Sequence, residues 1–203
     1  MFKIAVLVSG GGTDLQSIID AVESGYLNCK IEMVIGSKEG IYALERAKNH
    51  NIPNYVVSRK EYGEKQCDKI VELTEGKVDL IVLAGFLSIL QGKILDIFNN
   101  KMINIHPSLI PSFAGPKMFG IHVHEAVIKK GVRFSGCTVH FVNNEVDGGA
   151  ILLQEIVPVY FEDTAEILQQ RVLEKEHIIL PKAIKLIAEN KVKIIDGRVF
   201  IKE

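Results

Sequence analysis

Ile4-Ala5-Val6-Leu7-Val8-Ser9-Gly10-Gly11-Gly12-Thr13-Asp14-Leu15-Gln16 is the stretch that decides the fold. An unbroken apolar run meets three glycines. Leu15, Ile18, Ile19 and Val22 then recur at three- and four-residue steps until Gly25, a helix C-terminal signal. The spacing predicts strand, glycine loop, helix. A strand apolar on both faces is covered on both, as in a parallel sheet flanked by helices. The free N–H groups at the helix start, together with the helix dipole, make the loop a site for an anion, with phosphate the obvious guest. The dinucleotide fingerprint would need glycine where Leu15 stands, and no Walker lysine is present, so the NAD(P) and P-loop versions fail. A ligand-free turn capped by Thr13 or Asp14 is the alternative.

Outward from this unit the rhythm repeats. Ile31–Ile35, Tyr55–Val57, Val78–Ala84 and Met102–His106 read as strands, with Ala43–Asn49 and Cys67–Thr74 as helices among them. Val78–Ala84, apolar on both faces after Asp79, belongs at the middle of the sheet. Pro107–Pro116 lacks helical period and reads as a long loop of the functional kind. A helix near His124–Lys130 follows, then strands Cys137–Val142 and Ile151–Val157 around a turn-rich Asn143–Gly149. Thr164–Ala188 has helical spacing that Pro181 should kink or divide, and Asp196-Gly197 predicts a hairpin within Lys193–Ile201. The pattern is that of an α/β protein with a mostly parallel sheet of about seven strands and helices on both faces. No repeat or linker divides it, so one domain over residues 1–203 is expected.

Composition narrows the function. The 203 residues are 47% hydrophobic and 24% charged, and 24 Lys+Arg against 25 Asp+Glu leave a net charge of −1, so nothing in the balance draws the chain to nucleic acid or an anionic membrane. A small ligand is the default. Leu80–Leu90, the longest apolar run, falls well short of the ~18–20 residues of a membrane span, and Met1–Val8 meets the glycines too early for a signal peptide. Cys29, Cys67 and Cys137 are odd in number and scattered, which fits a reducing compartment; the cytoplasm is expected.

Asn104 and His106, two apart on a strand, project from the same face at its carboxyl end, where ligands of open α/β sheets gather. Asn offers an oxyanion a hydrogen-bond donor, and His exchanges a proton near neutral pH. Asp147 precedes Gly148-Gly149, whose freedom lets a loop approach a ligand; folded against His106, its charge favours the imidazolium and raises that pKa, and otherwise it is a solvated turn residue. His122 and His124 are two apart, but no Cys or carboxylate completes a metal set around them. His140 reads as a satisfied core or supporting residue, and Glu176-His177 by default as a partly exposed helical pair.

Taken together, Ser9–Gln16, Leu83-Ala84-Gly85-Phe86, Asn104-Ile105-His106-Pro107-Ser108-Leu109-Ile110-Pro111, Thr138–Val142 and Asp147-Gly148-Gly149 resemble the phosphoribosylglycinamide formyltransferases, of the folate-dependent formyltransferase family, over about residues 3–189. The resemblance implies a Rossmann-like formyltransferase fold, with residues 1–100 as a phosphate-binding half and 101–203 as a folate and catalytic half. The implied activity is transfer of the formyl group of 10-formyltetrahydrofolate to the glycinamide amine in purine biosynthesis. It implies Asn104, His106 and Asp147 as the catalytic trio, with Asp147 raising the His106 pKa. It puts Gly12, Thr13 and Asp14 at the substrate phosphate and Glu176 at the ribose. Lys65, Leu87, Ser88, Ile89, Leu90, Asn104, Asn143, Asn144, Glu145, Val146 and Asp147 fall on the folate. It implies the folate as co-substrate, no metal, small-molecule substrates, no nucleic acid or membrane partner, and a monomer or weak homodimer.

Several positions depart from the family. Asp14 stands where Asn is common, and its carboxylate would repel a phosphate unless it turned back to cap the helix. Ser88 replaces an arginine, Lys65 matches a basic position loosely, Pro116–Phe119 lengthen the loop after the catalytic strand, and Leu173 replaces a polar residue. The nearest rival is hydrolysis of formyltetrahydrofolate to formate by the same trio, whose family usually adds an N-terminal regulatory domain. Formylation of methionyl-tRNA would need a C-terminal RNA-binding domain and a basic surface. A non-catalytic nucleotide-binding module would leave the trio unexplained.

Overall fold

Residues 1–202 are described in the computed structural model, and the chain forms two compact units, Met1–Asn104 and Ile105 onward. Seven strands make one sheet in the order β3-β2-β1-β4-β5-β6-β7. In the first unit β1 (Phe2–Val8) pairs in parallel with β2 (Cys29–Gly36) and β4 (Leu80–Leu83), β2 with β3 (Asn54–Val56), and β4 with β5 (Met102–His106). In the second unit β6 (Phe134–Phe141) runs antiparallel to β7 (Ile151–Pro158), with a register shift between Val139 and His140. The fourth place in the order belongs to β4, whose four residues are all buried, as its two-faced apolar pattern requires.

Helices α1 (Thr13–Glu23), α2 (Tyr42–Asn49), α4 (Gln66–Thr74) and α6 (Ile121–Lys130) lie where helical spacing predicts them. The period gave no signal for α3 (Arg59–Tyr62), the 3-10 turn Gly63–Lys65 or α5 (Lys93–Ile97), each a turn or so long and too short to show an apolar stripe. Thr164 caps α7 (Ala165–Ala188) by accepting the Ile167 N–H at 3.3 Å. This helix is continuous across Pro181, so of the expected kink or division the division does not occur. Pro181 lies in its buried stretch with Ile179, Leu180, Ala183 and Ile184, and that packing offsets the one backbone bond the imide cannot donate. Strands β8 (Val192–Ile195) and β9 (Arg198–Ile201) form the terminal hairpin; Asp196 and Gly197 both take positive φ, which suits the twist of a two-residue turn. The three cysteines are free and buried, and no described helix is long and apolar enough to cross a membrane.

Candidate active site

In the first unit the glycine loop leaves β1 and is braced by α2. Gly12 sits at φ 72° as the N-cap of α1, where a Cβ would come within 2.6 Å of the Ala43 Cβ. The Ala43 N–H donates to the Gly10 carbonyl at 3.2 Å, and Arg46 donates from Nε to the Gly11 carbonyl at 2.9 Å and from Nη1 to Gln16 Oε1 at 2.9 Å. These bonds fix the loop carbonyls against α2 and leave the N-terminus of α1, with Thr13 as its first residue, as the anion-attracting end.

Asp14 does not do what its helix-cap pattern predicts. The N-cap of α1 is Gly12, with no side-chain cap, and Asp14 lies inside the first turn with Oδ1 shut off from solvent. Burial pushes its carboxyl up to about 7. A carboxyl with that ionisation is largely uncharged below neutral pH, which lifts the repulsion a phosphate would otherwise meet.

Ser9, at the head of the loop, joins strand ends in a way its position as the first loop residue only hints at. Its buried hydroxyl accepts from Ser37 Oγ at 2.8 Å and from the Leu87 N–H at 2.9 Å. The segment after β4 is thereby tied to the glycine loop, with Leu87 and Ile89 largely exposed, Ser88 half-buried and Leu90 buried. Cys67 Sγ accepts from the Gln91 N–H at 3.4 Å, so the start of α4 adjoins this segment; Lys65 is exposed two residues earlier.

The second unit holds the carboxylate–imidazole cluster. Alternation along β5 puts Asn104 and His106 on one face of the strand, and His106 is buried. Asp147, at φ 56°, brings Oδ2 to 3.6 Å from His106 Nδ1, while its Oδ1 lies 3.7 Å from His140 Nε2. The Gly115 N–H donates to the same Oδ2 at 2.9 Å. Gly148 and Gly149 are needed where they stand, because a Cβ on Gly148 would meet the Glu145 carboxyl group and one on Gly149 the Phe141 carbonyl. Asn143, Asn144, Glu145 and Val146 form the exposed approach to Asp147, and Asn143 Oδ1 accepts the Glu145 N–H at 2.9 Å.

His140 is buried on β6, as its apolar strand leads one to expect, whereas the pattern does not specify the inward place of His124. His140 donates from Nδ1 to the Phe141 carbonyl at 2.9 Å, and burial lowers its pKa against the opposing pull of that bond and of Asp147. His124 is held down to about 4, first by burial and then by the nearby charge of His106. On α6 it points inward, whereas His122 is exposed, bonded to Glu125 at 3.1 Å and edge-on to Phe119. Residues two apart on a helix face opposite ways, so the pair makes no joint metal site, and no described group of three His, Cys, Asp or Glu could hold one. Glu176 corrects another expectation: it is buried on α7 instead of partly exposed. The apolar neighbours at its helical spacing, Val172 and Leu180, had marked that face as the inward one.

The family model described as formyl transferase matches residues 2–184, which include both the glycine loop and the His106–Asp147 cluster. The phosphoribosylglycinamide formyltransferase of Haemophilus influenzae is 44% identical over 204 residues, which cover 99% of this chain and 94% of that protein. The crystal structure of glycinamide ribonucleotide transformylase 1 from Symbiobacterium toebii superposes with a TM-score of 0.94 at 38% identity, over 100% of this chain and 95% of that one. Trifunctional purine biosynthetic protein adenosine-3 of Gallus gallus is 43% identical over 195 residues, 95% of this chain; the chain spans only 19% of that longer relative. The chain belongs to the formyl transferase family, and within it to the phosphoribosylglycinamide formyltransferases.

Proposed function

We propose that the chain transfers the formyl group of 10-formyltetrahydrofolate to the amine of phosphoribosylglycinamide, giving the formylated ribonucleotide and tetrahydrofolate. The observation that carries this reading is the His106–Asp147 pair, 3.6 Å apart, reached two residues after Asn104 on the same strand. Acyl transfer to an amine needs a donor for the oxyanion and a route for one proton, and these three side chains are of the types that supply both.

The amine attacks the formyl carbon, forming the new C–N bond while the carbonyl π pair moves onto oxygen. The Asn104 amide and the His106 imidazolium donate to that oxyanion, and the Asp147 carboxylate balances the imidazolium charge. On collapse the electron pair returns, the C–N10 bond of the folate breaks, N10 takes a proton and the attacking nitrogen gives one up, with His106 and Asp147 handling the transfer. The backbone N–H groups of Gly12, Thr13 and Asp14 hold the substrate phosphate at the start of α1, and Glu176 accepts from ribose hydroxyls. The exposed apolar side chains of Leu87 and Ile89 suit the flat face of a pterin. Ser88, Leu90, Lys65 and Asn143, Asn144, Glu145 and Val146 complete the folate side. The enzyme works as a single formyltransferase domain in the cytoplasm, on small molecules, as a monomer or weak homodimer.

Turnover of the purified protein with both substrates tests this, with the formylated ribonucleotide identified by mass. Product that requires both substrates is the expected result, and formate release at the same rate without the amine would replace transfer by hydrolysis.

A further inference from the structure

His106 has two ring nitrogens, and the protein treats them differently. Nε2 lies 2.9 Å from the carbonyl oxygen of Phe113, an atom that can only accept. The neutral ring therefore carries its proton on Nε2, and Nδ1 keeps the lone pair on the side of Asp147 Oδ2. Phe113 is in the left-handed region at φ 52°, an unusual backbone for an aromatic residue, so its carbonyl is aimed there by its surroundings.

Those surroundings form a closed polar network beneath the proline-rich loop. Ser108, fully buried, donates from Oγ to the Ser112 carbonyl at 2.6 Å and also lies 3.2 Å from the Phe113 carbonyl oxygen. Thr138 on β6, fully buried as well, donates to the Ser108 carbonyl at 2.7 Å and accepts from the Ile110 N–H at 3.1 Å. Gln154 on β7 spans both by donating to the Ile110 carbonyl and to Thr138 Oγ1, each at 3.0 Å. Two strands thus hold the loop, and the Ser108 hydroxyl, bonded to the Ser112 carbonyl and close to that of Phe113, is the link that sets the Phe113 carbonyl against the His106 ring.

We propose that Ser108 is a positioning residue for formyl transfer: through the Ser112 and Phe113 carbonyls it locks His106 with a proton on Nε2, so that Nδ1 alone exchanges the proton of the reaction. The inference rests on the function proposed above. It assigns Nδ1–H as the donor to the oxyanion; Nδ1 passes that proton to N10 as the C–N10 bond breaks and takes one back from the attacking nitrogen, while the Nε2–H stays hydrogen-bonded to the Phe113 carbonyl throughout. Losing the lock populates the other tautomer, in which Nδ1 carries a proton in the neutral ring and has no lone pair to receive one.

The test is histidine-selective 15N labelling with two-bond proton–nitrogen spectra of the full chain, at a pH where His106 is neutral, paired with steady-state kinetics. Wild type should show a pyridine-type Nδ1 and a protonated, pyrrole-type Nε2. Ser108→Ala should mix the tautomers and lower kcat by about tenfold, the size of one hydrogen bond, with both KM values within about twofold. Ser108→Thr, which keeps the hydroxyl, should restore both readouts and shows that a defect in Ser108→Ala is not simple misfolding. A neutral wild-type ring protonated on Nδ1 overturns the assignment. So does a Ser108→Ala variant that slows tenfold with its tautomer unchanged, or that shifts tautomer without slowing. Wild-type protein with the Nε2 proton in place but no formylated product would refute the proposed function and leave the tautomer assignment standing.

Discussion

Asp147→Asn is the substitution that bears most directly on the proton chemistry. It keeps the volume and an oxygen able to accept the Gly115 N–H, and removes only the charge. Unit charges at the 3.6 Å of the His106–Asp147 pair attract by ~5 kcal/mol in an effective dielectric of ~20. Water and the retained amide dipole recover part of this, so the imidazolium that develops against the oxyanion should lose about 3–4 kcal/mol, or ~10²–10³ in kcat. Both groups are nearly buried, which keeps salt from masking the effect. Steady-state kinetics should therefore show a fall in kcat with KM for both substrates within about threefold, and a melting temperature within about 3 °C of wild type. Adding His106→Ala to Asp147→Asn should cost little beyond His106→Ala alone, because groups acting as one unit are not additive. A kcat within threefold of wild type, or fully additive losses, would refute the pairing.

Gly12→Ala forces a Cβ to within 2.6 Å of the Ala43 side chain at a positive φ, so KM for the phosphoribosyl substrate should rise by ~10-fold while that for folate stays put; equal rises would remove the loop from phosphate binding. Because Asp14 ionises at about 7 in the folded chain, its carboxylate repels a phosphate above that pH and not below it. Asp14→Asn should accordingly lower KM for the phosphoribosyl substrate about threefold to tenfold at about pH 8.5 and leave it unchanged at about pH 6, and a ratio independent of pH would count against it. The same raised value means that stability owed to the neutral Asp14 is present below 3.8 and lost as pH rises towards 7. For His124 the sign reverses: held down to about 4 from 6.5, it stays neutral while the unfolded chain takes up protons, so stability present above 6.5 is lost as pH falls towards 4. The loss is about 3 kcal/mol, to which the lowered His140 adds in the same direction; urea titrations should show it, and His124→Leu should flatten it.

The strand–loop–helix opening and the parallel strands β1, β2, β4 and β5 were legible because their apolar runs are strong; β5 begins and ends at the predicted residues. What stayed hidden depends on packing. Period alone offered no reason for α7 to run through Pro181, since the burial that sustains it comes from elements distant in sequence. Asn104, His106 and Asp147 could be named from residue types and motif, yet the loop geometry that brings Asp147 to His106 required a left-handed Asp147 followed by two glycines in tight quarters. The Phe113 carbonyl, a backbone atom in an irregular loop, leaves no mark in residue type at all. The burial of Glu176 is hidden for a simpler reason: a charged residue reads as exposed by default, and only the apolar neighbours at its helical spacing argue otherwise.

The fate of the formyl carbon tests the central claim most directly. With 10-formyltetrahydrofolate labelled in that carbon, a single turnover of wild-type protein in the presence of phosphoribosylglycinamide should place the label in the formylated ribonucleotide, with little in formate. Omitting the amine should leave the label on the folate. Label appearing in formate at the same rate whether or not the amine is present would contradict formyl transfer and make water the acceptor at the His106–Asp147 pair.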